Sequence, residues 1–280
     1  MSQDRSDHTS PELEARRAFI SSLKQSKRLL VVTGAGISVA SGISPFRKSE
    51  DAHWERDVTE LATNRYFRSS PEGSWRWYLS RFANLAQVQP NPAHHALRVL
   101  GELLESDGQQ MTIITQNIDG LHRAAGSETI EVHGRADMLR CVEEGDCHNA
   151  APRGLVPRSS VSFERFEETG TKGDLPTCSA CGALLRPHVL WFDESYNEHE
   201  AYGIDHAIQA ATEADLVLFI GTSFSVGITY FIEQLALQRR APMWAIDPSP
   251  IEEESPPGTL WLREPSELAL PALVELYQRA

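Results

Sequence analysis

The sequence predicts an open, doubly wound, Rossmann-like α/β fold with a parallel sheet, a helical insertion and a small module that holds every cysteine. Three observations predict it. Short, continuous apolar runs recur at residues 29–33, 112–115, 216–220 and 243–246, as strands buried on both faces do. Amphipathic stretches lie between them, and strands alternating with helices argue for a parallel sheet. Small, hydroxyl and amide residues follow the runs, at the strand ends where such sheets take ligands.

The chain has 280 residues and 41% apolar content. That is enough for one large domain with a proper core. The opening segment, residues 1–14, reads as a flexible polar tail running into a first helix. It lacks the apolar centre of a signal peptide, which favours a cytoplasmic protein. No apolar run approaches the ~18–20 residues needed to cross a bilayer. The formal net charge of −13 argues against general nucleic-acid binding, which needs basic surface. It would suit lysine-rich protein partners, though solubility alone is the plainer account of it. No heptad seam is present, so a monomer is expected.

One domain is expected over residues 15–280. Its core spans about 20–48, 93–140 and 182–280. Residues 48–92 are polar and aromatic, with Trp54, Trp75, Trp77 and Tyr78, and read as the helical insertion. His95, Val99 and Leu103 recur at helical spacing, as do Ile228, Phe231 and Leu235. Residues 141–181 are loop-rich and form the cysteine module. Residues 154–160 (GLVPRSS) read as flexible and protease-accessible.

The strand ends carry the polar residues. Gly34-Ala35-Gly36-Ile37-Ser38 follows the first run, and Gln116-Asn117-Ile118-Asp119 follows the second. His133-Gly134 follows residues 130–132, Gly221-Thr222-Ser223 follows 216–220, and Asp247-Pro248 follows 243–246. Gly34 and Gly36 permit a tight turn with close backbone approach, and a helix N-terminus after them suits a pyrophosphate. The third glycine of a dinucleotide fingerprint is Val39 here, which counts against an ordinary dehydrogenase. His133 is one of ten histidines and stands out only by its place beside this cluster.

Cys141, Cys147, Cys178 and Cys181 form C-x5-C followed by C-x2-C. Four thiolates at such spacing suit a closed, tetrahedral, structural zinc site. Four free thiols or a redox pair are the alternatives.

Together these residues resemble the sirtuin family. The matching pieces run in collinear order: Gly34 to Ser38, Ser41-Gly42-Ile43, Phe46-Arg47, Thr115 to Asp119, Val132-His133-Gly134, the four cysteines, Arg186-Pro187-His188-Val189-Leu190-Trp191-Phe192 and Gly221-Thr222-Ser223. The resemblance implies an NAD-dependent protein-lysine deacylase. NAD is the co-substrate, zinc is structural, and acyl-lysine proteins are the partners. Gly34, Ala35, Gly36, Ser38, Phe46 and Arg47 would shape the cofactor loop. Gln116, Asn117 and Asp119 would hold the nicotinamide ribose and carboxamide, with Asn117 assisting catalysis. Gly221, Thr222, Ser223 and Asp247 would hold the adenosine side. Val189, Trp191 and Phe192 would hold the substrate as an added strand. His133 would be the base that takes a proton from a ribose hydroxyl, and nicotinamide and O-acyl-ADP-ribose would be the products.

Tyr78 and Arg81 form a Y-x-x-R pattern that looks like the branch preferring malonyl, succinyl or glutaryl lysine. Positions three apart share a helix face, where a guanidinium can grip a carboxylate. An ordinary amphipathic helix with Trp75, Leu79 and Phe82 inward explains the same residues. Asp193 stands where the family usually has glycine, and Asp247 where it usually has asparagine. An NAD glycohydrolase or ADP-ribosyltransferase, and a non-catalytic NAD sensor, are the competing readings.

Overall fold

A six-stranded sheet organises the chain in a computed structural model that describes residues 10–44, 59–143, 147–224, 227–250 and 255–280. Its strands are β1 (Arg28–Thr33), β2 (Gln110–Thr115), β3 (Ile130–Glu131), β7 (Leu216–Ile220), β8 (Met243–Ile246) and β9 (Leu260–Leu262), in the order β3-β2-β1-β7-β8-β9. The pairs β1–β7, β2–β3, β7–β8 and β8–β9 run parallel. A three-stranded antiparallel sheet has the order β5-β4-β6, from β4 (Gly134–Cys141), β5 (Val156–Pro157) and β6 (Leu185–Val189). The helices are α1 (Pro11–Gln25), α2 (Asn64–Ser69), α3 (Pro71–Leu85), α4 (Pro92–Ser106), α5 (Leu121–Ala124), α6 (Glu164–Thr169), α7 (Ile204–Glu213), α8 (Gly227–Arg239) and α9 (Ser266–Arg279). Among the described residues no helix is long and apolar enough to cross a membrane.

The chain divides into two compact units, one of Met1–Ile37, Asn91–Ile113 and Ala210–Ala280, the other of Ser38–Pro90 and Ile114–Gln209. In the first, β7 is buried throughout and β1 is buried beyond Arg28, which is why both read as unbroken apolar runs. Phe19 and Leu23 of α1, Leu97 and Leu100 of α4 and Leu273 of α9 share one core with Val31 and Leu218. Each such side chain contributes about 1.5–3 kcal/mol on burial, set against the entropy of ordering it. Helix α4 starts where it does because Asn91 caps it. The Asn91 side chain accepts from the Ala93 N–H at 2.9 Å, and His94 Nδ1 accepts from the Asn91 N–H. Such caps satisfy donors that the first helical turn leaves open.

In the second unit α3 opens on the Ser70 cap with Pro71 in its first turn, a position that suits proline because its missing N–H is not needed there. It buries Trp75, Tyr78, Leu79 and Phe82. The Trp75 indole N–H donates to the Leu185 carbonyl at 2.9 Å and the ring meets Phe163 at 4.7 Å. These contacts join the helical insertion to the core that also holds Cys141, Cys147 and Cys178.

Four sequence expectations are corrected. Helix α1 begins at Pro11, inside the stretch read as tail. On α4 the buried face is Ala93, His94, Ala96, Leu97, Leu100 and Leu104, and His95 is exposed. On α8 it is Ile228, Thr229, Ile232 and Ala236, with Phe231 exposed. On α4 the stripe is turned by one residue, while on α8 Ile228 is buried as expected and Ile232 and Ala236 take the inner places of Phe231 and Leu235, because small and polar side chains fill part of the buried face. Residues 154–160 are not loose: they contain β5 and a 3-10 turn, Arg158–Ser160. Gly154 is buried, and a Cβ there would lie 2.1 Å from the Asn149 carbonyl carbon.

Candidate active site

In the first unit the strand-end loops after β1 and β7 lock together. The Gly34 N–H donates to the Ile220 carbonyl at 3.0 Å and the Gly36 N–H to the Gly221 carbonyl at 2.9 Å. A Cβ at Gly36 would stand 2.5 Å from the Gly221 Cα, and one at Gly34 2.7 Å from the Gly221 oxygen. The absent side chains therefore serve loop-to-loop contact, and a 3-10 helix, Ala35–Ser41, follows. Thr222 and Ser223 are half-buried after Gly221. The Asp247 carboxylate accepts from the Ser249 N–H at 2.7 Å and shapes the turn after β8. Phe46 and Arg47 lie outside the described residues, as do Trp54 and Gly145.

In the second unit a polar relay links the predicted ribose residues. Asn117 Nδ2 donates to the Ser38 hydroxyl at 3.3 Å, and that hydroxyl donates to Asp119 Oδ2 at 2.8 Å. The other Asp119 oxygen accepts from the Leu121 N–H at 2.9 Å, opening α5. Burial raises the Asp119 carboxyl above its ordinary value, opposed by these two donors and by Arg123.

His133 sits on the turn between β3 and β4. Its Nδ1 lies 2.9 Å from the Gln116 carbonyl oxygen, and its Nε2 3.2 Å from the Tyr196 hydroxyl. A carbonyl only accepts, so the proton is on Nδ1 and Nε2 carries the lone pair. Burial pushes the imidazole down to about 4, against the raising effect of the Gln116 carbonyl. The ring is thus neutral at neutral pH, the form a general base requires. Gly134, with φ +81°, makes the following turn possible, since a Cβ there would meet the His188 carbonyl oxygen at 2.2 Å. The His133 carbonyl accepts from the Leu190 N–H at 3.0 Å, beside the end of β6.

The β6 segment divides by exposure. Val189 is buried, Trp191 is 2% exposed and Phe192 is 65% exposed. The Arg186 guanidinium lies 3.2 Å from the Trp191 ring centroid, and Glu194 binds Arg186, Arg140 and the Trp191 N–H. The Asp193 carboxylate accepts from the Asn64 and Arg65 N–H groups at 2.7 and 3.1 Å, capping α2. The Trp191 indole N–H donates to the Tyr78 hydroxyl at 2.7 Å, and burial holds that phenol above its ordinary value. Arg81 is half-buried, with its guanidinium 4.4 Å from the Trp77 ring centroid. Burial lowers its pKa.

The four cysteine sulfurs all lie within 4.8 Å of one another. Sγ separations of 3.5 Å for Cys141–Cys181 and 3.6 Å for Cys147–Cys178 approach the ~3.8 Å edge of a tetrahedron with zinc–sulfur bonds of about 2.3 Å. Burial pushes the Cys178 thiol up, but donation from the Asn149 side chain and from the Ala180 and Cys181 N–H groups brings it down to about 6. The residues fit a structural zinc ion.

Two features of this unit escape sequence reasoning. Tyr196 at His133 has no spacing signal, since β6 and the Glu194 anchor create its position. Arg140 and Glu194 carry no motif either, and only the bulk of charge in an apolar neighbourhood hints at a buried pair.

The Sir2 family model matches residues 34–227. A relative named NAD-dependent protein deacylase 1, from Pseudomonas aeruginosa, is 36% identical over 242 residues, 86% of this chain and 90% of its own length. A Sir2 homologue solved in complex with NAD superposes with a TM-score of 0.76 at 30% identity, covering 94% of each chain. A Sir2 protein solved with a p53 peptide and NAD+ gives a TM-score of 0.73 at 25% identity, covering 94% of this chain and 99% of its own.

Proposed function

The chain belongs to the Sir2 family, and from that premise we propose that it is an NAD-dependent protein-lysine deacylase with His133 as the base. The observation that carries this reading is the imidazole itself. It is neutral and fixed in one tautomer by the carbonyl of Gln116, the residue before Asn117 of the Asn117–Ser38–Asp119 relay, and it lies in the same unit as that relay. NAD supplies the ribose that accepts the acyl group and the bond to nicotinamide that is broken. His133 Nε2 takes the proton of a ribose hydroxyl, and the Gln116 carbonyl steadies the resulting imidazolium through Nδ1–H. Asn117 and Asp119 orient the ribose and carboxamide. By the family resemblance Gly34, Ala35, Gly36 and Ser38, with Phe46 and Arg47 outside the described residues, would serve the cofactor loop, and Gly221, Thr222, Ser223 and Asp247 would take the adenosine side. Val189, Trp191 and Phe192 lie on the segment that takes the acyl-lysine substrate, with the Phe192 ring exposed and the Trp191 and Phe192 N–H groups already held by Glu194 and the Ala62 carbonyl. Cys141, Cys147, Cys178 and Cys181 would hold zinc as a staple of the module. The test is nicotinamide release, which should require an acylated peptide and vanish in His133→Ala. Full-rate NAD turnover without peptide would point instead to a glycohydrolase.

The acyl group is the finer part of the proposal: an acidic acyl chain, malonyl, succinyl or glutaryl. Tyr78 and Arg81 support it, three apart on α3 with the guanidinium half-buried. A partly desolvated guanidinium grips a carboxylate more strongly than an exposed one. Arg81→Met should lower kcat/KM for succinyl peptide about 10- to 100-fold and leave acetyl peptide nearly unchanged. Equal loss on both peptides would mean that Arg81 only supports the fold.

A further inference from the structure

Tyr196 stands at the base in a way the reaction does not require. Its hydroxyl is 3.2 Å from His133 Nε2, and the two rings stack at 5.9 Å with an interplanar angle of 25°. Because Nδ1–H is committed to the Gln116 carbonyl, Nε2 is an acceptor and the phenol is its donor. A neutral imidazole has one in-plane lone pair. A ribose hydroxyl that is to lose its proton must take the place the phenol holds.

The contact is built into the chain around it. Two residues earlier, Glu194 is fixed by Arg140, Arg186 and the Trp191 N–H. One residue earlier, the Ser195 hydroxyl accepts from the Asn197 N–H and opens the 3-10 turn Tyr196–Glu198. The backbone around Tyr196 is thereby held, and freeing Nε2 requires the Tyr196 hydroxyl to move off it. On the turn that carries His133, Glu131 lies within ion-pair distance of Arg123 and Arg135, and Arg135 also pairs with Asp137. On the facing segment, Glu194 is paired inward and Glu198 is exposed.

We propose that Tyr196 is a removable cap on the base: its hydroxyl occupies the Nε2 lone pair of His133 in the ligand-free protein and is displaced by the substrate hydroxyl. The proposal rests on the reading of His133 as base. No covalent bond changes; one hydrogen bond to Nε2 is exchanged for another.

The test is Tyr196→Phe, which removes the hydroxyl and keeps the ring. Nitrogen-15 NMR of the full-length protein should show the His133 imidazole pKa rising by about half to one unit, because the lost bond favoured only the neutral ring. The kcat/KM for acyl peptide should rise about 2- to 10-fold, because substrate no longer competes with the phenol. In the wild type, ADP-ribose should shift the Nε2 resonance away from its phenol-bonded position, a readout that needs no variant. An unchanged imidazole pKa in Tyr196→Phe, or an unmoved Nε2 resonance with ADP-ribose bound, would overturn the cap. So would a tenfold loss of kcat at constant KM, which would make the phenol a helper of the chemistry. If His133→Ala retains turnover, the base assignment fails separately, while the NMR result still reports on the cap.

Discussion

Replacing Glu194 by glutamine should destabilise the second unit more than almost any other polar substitution. The Glu194 carboxylate bridges Arg186 and Arg140, with 2% of its side chain exposed against 4% for each arginine. It also takes the Trp191 N–H at 3.1 Å. Burial raises this carboxyl, yet Arg186 and Arg140 win and hold it below its ordinary value. Glu194→Gln keeps the shape and removes the charge, leaving two buried guanidinium groups without their counter-ion. Breaking one buried pair costs about 3–5 kcal/mol, a large part of a typical total of about 5–15 kcal/mol. With a urea slope of about 3 kcal/mol/M, the unfolding midpoint should fall by about 1–1.7 M, read by circular dichroism and tryptophan fluorescence. Adding Arg140→Met to this variant removes one orphaned charge and should recover part of the loss. A midpoint shift in Glu194→Gln below about 0.3 M, equivalent to about 1 kcal/mol, would refute the reasoning, since the pair would then be solvated in a way its burial denies. The sign with pH follows from the lowered carboxyl: the contribution is present above the unfolded value near 4.5 and lost as pH falls through the folded value.

Other outcomes follow from the same geometry. The acid limb of kcat/KM should lie near pH 4–5, not near 6.5, because burial holds neutral His133 at about 4 and the neutral ring is the active form; a limb at 6.5 would show a solvated ring. Stability should decline on acidification below pH 6.5, because the imidazoles of His94 and His133 at about 4 and of His188 at about 2 are buried neutral and must take up protons on unfolding. His188→Phe, which keeps the ring stack on Tyr202 at 4.9 Å, should flatten that decline in denaturation curves at pH 7 and pH 5. Gly134→Ala should reduce folding and turnover severely, losing a few kcal/mol to the φ +81° backbone and the His188 carbonyl together; normal melting and activity would contradict it. Metal analysis should find one zinc per chain, and chelation should lower the melting temperature by several degrees; Cys178→Ala with unaltered zinc content would rule out the four-thiolate site.

The parts of the fold legible in the sequence were those where one physical signal dominates. Strands β7 and β8 are found at the predicted residues, because strands covered on both faces admit only apolar side chains. The cysteine quartet was legible from spacing. Helix faces were less so: Ala93, His94 and Ala96 fill the inner face of α4 and Thr229 and Ala236 that of α8, and none of them registers as a hydrophobic stripe. Composition also misled at residues 154–160, where glycine marks a close backbone approach and not looseness. In the site, His133 drew notice through its neighbours and the family motifs. Tyr196 did not, because its relation to the imidazole exists only once β6 has folded alongside β4 and Glu194 is anchored.

Asp193 gives the segment after β6 a consequence of its own. Its carboxylate holds the first two amides of α2, and the Phe192 N–H donates to the Ala62 carbonyl at 3.1 Å. Residues 62–65 and 192–193, far apart in the chain, are thus clasped by three backbone N–H groups. Opening one end releases the other, so the amides of Asn64, Arg65 and Phe192 should exchange with solvent deuterium at a common rate. An occupant that straightens the strand beside Phe192 would register in the first turn of α2 as slowed exchange, a reporter of docking that needs no label on the partner.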